Sequence, residues 1–233
     1  MKQKLFLLIF ILTISLTVFS QNVGFMGKRL IVNADGVFST AFSNPNINGK
    51  SGFFSYNWMF SPNLEVICYN KGTVGAVFNL FQTKFFADYD VYSNDFDYIT
   101  YGTKRTIDLS VLGAGVFYKQ YLGRNNAAPY GTFVKVQFDW LNYSFDNPAK
   151  EALMKEKYYL LCLKLEMGKD YLFFNRLRVS WGFSVGFPLY GNEEIENGVN
   201  RKSLFSIEAT SAKSRIAYHY LFGFRIGVGF LAF

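Results

Sequence analysis

Between Tyr130 and Trp140 the chain alternates strictly. Tyr130, Thr132, Val134, Val136, Phe138 and Trp140 fall on one side; Gly131, Phe133, Lys135, Gln137 and Asp139 fall on the other. The period of two returns at 159–167, where Tyr159, Leu161, Leu163, Leu165 and Met167 oppose Tyr158, Cys162, Lys164 and Glu166. It returns again at 176–187, where Leu177, Val179, Trp181, Phe183, Val185 and Phe187 oppose Arg176, Arg178, Ser180, Gly182, Ser184 and Gly186. This period predicts β-strands with unlike faces. A soluble sandwich turns its apolar face inward and its charges outward. Here the apolar face is long, uniform and tipped with aromatics, and the other face is small or charged. That is the pattern of a transmembrane barrel with lipid outside and a polar lumen.

Extended along the chain, the pattern predicts eight antiparallel strands, near 28–41, 52–60, 64–82, 105–121, 129–144, 157–169, 176–189 and 216–233. The third is the least regular, with a bulge expected near Lys71-Gly72. Connections alternate in length. Ser61-Pro62-Asn63, Gly123 to Ala128 and Asp170 to Asn175 are short, and those near 42–51, 83–104, 145–156 and 190–215 are longer. Short periplasmic turns and longer extracellular loops are the expected asymmetry, which puts both termini of an even-stranded barrel in the periplasm.

Composition agrees: aromatics make up 20% of the 233 residues and prolines number five, which favours strands. Residues 1–20 stand apart. Lys2 and Lys4 precede an apolar run from Leu5 to Val18, and Val18 and Ser20 fit a cleavage site before Gln21. A cleaved signal peptide over 1–20 and one barrel domain over 21–233 is the expected organisation. The formal charge is +7, with two of those charges in the leader and no run of consecutive basic residues, so nucleic-acid binding has no support. Beyond residue 20 no uninterrupted apolar run is long enough for a membrane helix. Cys68 falls on the lipid face and Cys162 on the lumen face, too poorly placed for a disulfide.

In the last strand Phe222, Phe224, Ile226, Val228 and Phe230 are the expected lipid face, and Gly223, Arg225, Gly227 and Gly229 the lumen face. Arg225, Gly227 and Phe230, followed by the terminal Phe233, resemble the C-terminal signal read by the barrel assembly machinery of outer membranes. Phe233 stands in the opposite register from Phe230. The stretch "QNVGFMGKRLIVNADG" and the eight-strand layout resemble the small outer-membrane barrels of Bacteroidota-type bacteria, OmpA/OmpX-like and PorT-like. The resemblance implies a structural or adhesive role, or a part in a larger outer-membrane assembly. It brings no catalytic residues and no cofactor.

The most informative chemical set is the expected lumen charges: Lys71, Lys135, Lys164, Arg178 and Arg225 against Asp35, Glu65, Asp108, Asp139 and Glu166. Signs balance. An eight-stranded barrel is just wide enough to be filled by side chains, so these charges should pair into a plug. Arg225 is expected to hold Asp35 or another inward carboxylate such as Glu166. Among the loops, Phe85 to Lys104 carries Asp88, Asp90, Asp95 and Asp97 among Tyr and Phe, but the spacing misses the EF-hand pattern. A protruding contact hairpin fits it better than a metal site. His219, the one histidine, is expected at the rim of strand eight, with no helpful neighbour in sequence for Ser-His catalysis.

The reading is a non-enzymatic outer-membrane barrel of a Gram-negative bacterium, acting as a structural or interaction subunit. Its surroundings would be lipid and lipopolysaccharide, with protein partners reached through the extracellular loops or the lipid face. A narrow pore for ions or small solutes is the alternative, and a lipid-modifying or proteolytic barrel enzyme the third.

Overall fold

The computed structural model describes residues 27–42, 45–46, 48–50, 52–87, 105–123, 127–146, 155–192 and 207–232. The expected leader, the acidic stretch 88–104, the connection 193–206 and Phe233 lie outside the described residues. Eight strands form a closed antiparallel barrel in sequence order: β1 (Leu30–Phe42), β2 (Gly52–Tyr69), β3 (Gly72–Ala87), β4 (Arg105–Tyr121), β5 (Gly131–Asp146), β6 (Lys155–Phe173), β7 (Leu177–Asn192) and β8 (Gly223–Ala232). β1 closes on β8, with Leu30 opposite Ala232, so the first and last strands meet at one end, called here the terminal end. Between β7 and β8, at the other, distal end, lies one helix, α1 (Ile207–Leu221). Among the described residues no helix is long and apolar enough to cross a membrane.

Three strand boundaries differ from the sequence pattern. Ser61-Pro62-Asn63 is not a turn. β2 runs straight through it, with Pro62 opposite Ala34 of β1, and the true turn is Asn70-Lys71. Pro62 has no N–H to donate; towards β3 the pairing passes from Phe60–Leu80 to Asn63–Val77. Parity is undisturbed, with Met59, Ser61, Asn63, Glu65 and Ile67 all buried. The irregularity expected at Lys71-Gly72 sits between Ile67 and Tyr69, beside that turn. Secondly, β6 continues to Phe173 and turns through Phe174 and Asn175, at φ of 51° and 58°. Two successive left-handed residues match the twist of a tight hairpin.

The third difference is the largest. Residues 216–221, expected to open strand eight, are helical together with 207–215 of the expected connection. Ala212, Ile216 and Tyr220 recur every four residues and are buried, as are Arg215 and His219 beside them. That period builds a helix face, not a strand face. α1 packs on β7, β3 and β1, and its buried residues join a cluster with Val37, Met59, Phe81, Leu109, Leu141 and Leu160 from the inner wall.

The barrel is therefore layered. Ile31, Ile67, Tyr121, Phe133 and Leu231 form an apolar floor at the terminal end. Charged and amide side chains lie above it, and above those an apolar distal chamber is filled by α1. The outer wall changes in the opposite sense. On β5, Val134, Val136, Phe138 and Trp140 give way to Asn142 and Ser144; on β4, Val116 and Leu112 give way to Ser110 and Asp108; on β3, Phe78 and Leu80 give way to Gln82 and Lys84.

Candidate functional site in the barrel lumen

Ten charged side chains of the wall are buried: Asp35, Glu65, Asp139, Glu166 and Asp170 against Lys119, Lys135, Lys164, Arg178 and Arg225. Signs balance among the described residues. Alternation places them, since each occupies an inward position of its strand, and facing glycines make room. A Cβ at Gly227 would lie 1.9 Å from Asp35 Oδ1, and one at Gly115 2.2 Å from Asp139 Oδ1. Glycine at those positions lets a carboxylate lie across the neighbouring strand.

Near the floor, Glu65 and Asp170 share two cations. Lys119 Nζ is 3.2 Å from Glu65 Oε2 and 3.1 Å from Asp170 Oδ2, and Arg178 Nη1 is 2.5 Å and 3.4 Å from the same two oxygens. Thr73 Oγ1 donates to Glu65 Oε1 at 2.6 Å, and Tyr121 OH donates to Asp170 Oδ2 at 2.6 Å. One layer up, Arg225 holds two carboxylates rather than one. Its Nη1 is 3.0 Å from Asp35 Oδ2, its Nε donates to Glu166 Oε1, and Nη1 also donates to Ser180 Oγ at 2.8 Å. Lys135 Nζ, 2.5 Å from Glu166 Oε2, completes that group. Asn63 Nδ2 donates to Asp35 at 2.9 Å. Asp139 accepts from Asn79 Nδ2 and Gln137 Nε2, each at 2.8 Å. Lys164 Nζ lies 5.6 Å from the Tyr220 ring, linking the wall to α1. A buried charge left alone is costly, so reciprocal pairing is what lets this many share one lumen.

Two expected members are elsewhere. Lys71 sits half-buried in the β2–β3 turn, because the strand was begun too early. Asp108 occupies an outward position of β4, where its side chain is 78% exposed and pairs with Lys84 at 3.3 Å. Two true members had been missed. Lys119 follows from the parity of Phe117 and Tyr121. Alternation in the sequence places Asp170 in the turn after 169, whereas β6 carries it inward and runs on to Phe173. Of the C-terminal signal residues, Arg225 and Gly227 face inward and Phe230 is half exposed on the outer face. Cys68 and Cys162 are free, on opposite faces of the wall.

α1 is seated by Arg215, whose guanidinium donates to Lys84 O at 3.2 Å, Pro45 O at 3.3 Å and Thr83 Oγ1 at 3.1 Å. His219, expected on strand eight, is on α1 and buried. Its Nδ1 shares a hydrogen bond with Ser39 Oγ, its ring stacks on Phe81 with centroids 4.4 Å apart, and its Nε2 has no hydrogen-bond partner. Burial, with the Arg215 and Lys164 cations nearby, pushes the ring down to about 3. A Ser-His pair needs a group that orients the imidazole and stabilises its charged form. Here the surroundings oppose that charge. Among the described residues no cluster of His, Cys, Asp and Glu is arranged to hold a metal.

No protein-family model matches the chain, and no curated protein matches it. Among solved structures it is similar to Neisserial surface protein A (NspA), with 8% identity, 91% of this chain and 100% of that chain covered, and a TM-score of 0.49. It is also similar to the N-terminal β-barrel domain of Pseudomonas aeruginosa OprF, with 11% identity, 87% and 96% coverage, and a TM-score of 0.41. Neither likeness bears on what this chain does; the fold rests on the strand register itself.

Proposed function

We propose that the chain is a closed OmpA-like barrel of a Gram-negative outer membrane, of the Bacteroidota type, serving as a structural or interaction subunit rather than as a pore or an enzyme. One observation carries this: among the described residues the lumen is occupied by side chains packed against one another, charge against charge below and apolar wall against α1 above. A filled lumen gives solutes no continuous polar path. The outward belt, with Val116 at 61%, Phe183 at 61% and Met167 at 59% exposure, is suited to hydrocarbon. Lipid and lipopolysaccharide are its surroundings, insertion passes through the barrel assembly machinery with Arg225, Gly227, Phe230 and Phe233 as the signal, and protein partners dock on the distal loops or the lipid face. The termini lie in the periplasm, behind a signal peptide over 1–20.

Conductance tests the first claim. The purified barrel in planar bilayers is expected to show no single-channel steps, and steps whose selectivity changes in Arg225→Met would establish the pore instead. Orientation is tested by cysteines at Asn48 and Phe174 in a background lacking Cys68 and Cys162. An impermeant maleimide should label the first on intact cells and not the second. Partners are then sought by pull-down from detergent-solubilised outer membranes.

A further inference from the structure

β8 is shorter than its neighbours, and the wall registers the shortfall. β1 pairs with β8 only as far as Phe38, although its pairing with β2 continues to Phe42. β7 pairs with β8 only to Ser184, although its pairing with β6 continues to Asn192. Distal to these points no strand lies between β1 and β7 among the described residues. α1 fills the gap from within. A Cβ at Gly186 would lie 3.1 Å from Tyr220 O, so glycine lets the helix backbone approach β7 closely. Pro188, which lacks a backbone donor, falls on this stretch of β7 opposite Cys162 of β6 and suits an edge strand.

A groove of about 540 Å³ opens at the foot of the gap, within the range of small-molecule pockets. It touches Phe38, Ser39 and Thr40 of β1 and Phe183, Ser184 and Val185 of β7 in succession. Successive residues of a strand point to opposite faces. The groove lies where the pairing of β1 and β7 with β8 stops, at Phe38 and Ser184, so it meets the wall at the gap and not over a continuous ladder. Its outer lip is continuous with the apolar belt: Phe183 is 61% and Phe222 57% exposed. Its polar lining is uncharged, with Ser39 on the inward face and Thr40 on the outward one. Ser39 Oγ rests on His219, and Thr40 Oγ1 is buried without a hydrogen-bond partner.

We propose that this seam is a lateral binding site for one acyl chain of a bilayer lipid, the hydrocarbon lying between Phe38 and Phe183 and the ester end at the hydroxyls of Ser39 and Thr40. The site opens onto the apolar belt, so its neighbour in a membrane is hydrocarbon. No charged side chain lines it, which disfavours a phosphate or carboxylate end, and the unpartnered Thr40 hydroxyl can donate to an ester oxygen. The inference rests on the outer-membrane reading above.

The test uses the full barrel in phosphatidylcholine vesicles doped with a phosphatidylcholine that carries a photoreactive diazirine on one acyl chain. After illumination, adducts are mapped by mass spectrometry. Adducts on the inward residues Ser39 and Ser184, together with outward ones such as Val228, are expected. Thr40→Trp, which fills the groove from its outer lip, should lose the inward adducts and keep Val228. Adducts confined to outward residues, or inward adducts unchanged in Thr40→Trp, overturn the proposal. So does labelling of Ser39 by a photoreactive free fatty acid but not by the phospholipid. Absence of adducts everywhere, Val228 included, overturns the membrane reading itself, and with it this site.

Discussion

The two halves of this barrel obey opposite rules. In the terminal half the wall is apolar outside and charged inside: Val136 and Phe138 of β5 alternate with Lys135, Gln137 and Asp139. In the distal half of the same strand, Asn142 and Ser144 face out while Leu141, Tyr143 and Phe145 are buried. The change falls between Trp140 and Asn142, and its counterparts on β4 and β3 are Leu112 to Ser110 and Leu80 to Gln82, residues that are cross-strand partners or close to it. On β3, β4 and β5 the sheet thus carries the pattern of a membrane barrel at one end and that of a soluble barrel with an apolar core at the other, while β2 and β7 keep Tyr56, Trp58, Phe187 and Leu189 outward. The lesson is that a strand's periodicity fixes which residues share a face, while the surrounding solvent decides which face is greasy. On the outer-membrane reading proposed above, the line of inversion is where the bilayer edge would fall.

The largest expected effects come from removing what holds each half together. Arg178→Met leaves Glu65 and Asp170 with Lys119 as their remaining cation. Breaking a buried pair from one side costs about 3–5 kcal/mol, so denaturant unfolding in detergent micelles should show a loss of that order. Adding Glu65→Leu should recover much of it; strictly additive losses would mean that the two groups do not act as a pair. In the distal half the equivalent is Ile216→Ala. Truncating a fully buried Ile costs about 2–5 kcal/mol, and hydrogen exchange should quicken in α1 and near Leu109 while amides near Gly168 stay protected. Equal loosening of both halves would show one cooperative unit and dissolve the distinction drawn above.

The terminal half was legible because its signals are redundant. Strict alternation, aromatic ends and charges on one parity all say the same thing, and Arg225, Glu166, Asp35 and Glu65 followed from parity alone. Failures cluster where two local signals compete. Ser61-Pro62-Asn63 reads as a turn by its residues, yet parity carries through from Met59 to Ile67, and long-range pairing with Ala34 prevails over turn propensity. Ala212, Ile216 and Tyr220 share a helical period, but alternation from Gly223 backwards claims Ile216 and Tyr220 for the strand and leaves Ala212 in the connection. Asp108 departs from the expected lumen for a different reason: once the wall inverts, a charge on a strand no longer implies the lumen.

A pH titration separates the halves by a smaller margin. His219 is held neutral by burial, with Arg215 and Lys164 nearby, at about 3 against an ordinary 6.5. A group with a depressed folded value stabilises fully above its unfolded value, and that contribution is lost as pH falls towards the folded one. α1 should therefore loosen from pH 6.5 downward, by roughly 2 kcal/mol near pH 5 at about 1.4 kcal/mol per unit. The readout is helix exchange corrected for its intrinsic pH dependence. His219→Gln should flatten the response, because an amide does not titrate in this range. Persistence of the same loosening in His219→Gln would assign it to another group.

The smallest effect is the sharpest test of where the membrane ends. Lys84 and Asp108 form an ion pair at 3.3 Å, much like the 3.0 Å contact of Arg225 with Asp35. Their surroundings differ. Asp108 is 78% exposed on the outer wall beyond the line of inversion, and Asp35 is buried inside it. If that line is the bilayer edge, Asp108 stands in water or among headgroups, where such pairs contribute about 0–1 kcal/mol and are screened by salt. Asp108→Asn should then shift the unfolding midpoint barely at all, and the small shift should fade in concentrated salt. A carboxylate in hydrocarbon would behave otherwise. Its loss would unbalance Lys84 in a medium without water, and the cost would approach that of the lumen pairs, about 3–5 kcal/mol, with no response to salt. A large, salt-independent effect of Asp108→Asn would move the bilayer edge distal to β4 residue 108 and place the polar row of Gln82, Ser110 and Ser144 in lipid. A small, salt-sensitive effect leaves the edge between Leu112 and Ser110, where the two faces of the wall exchange their chemistry.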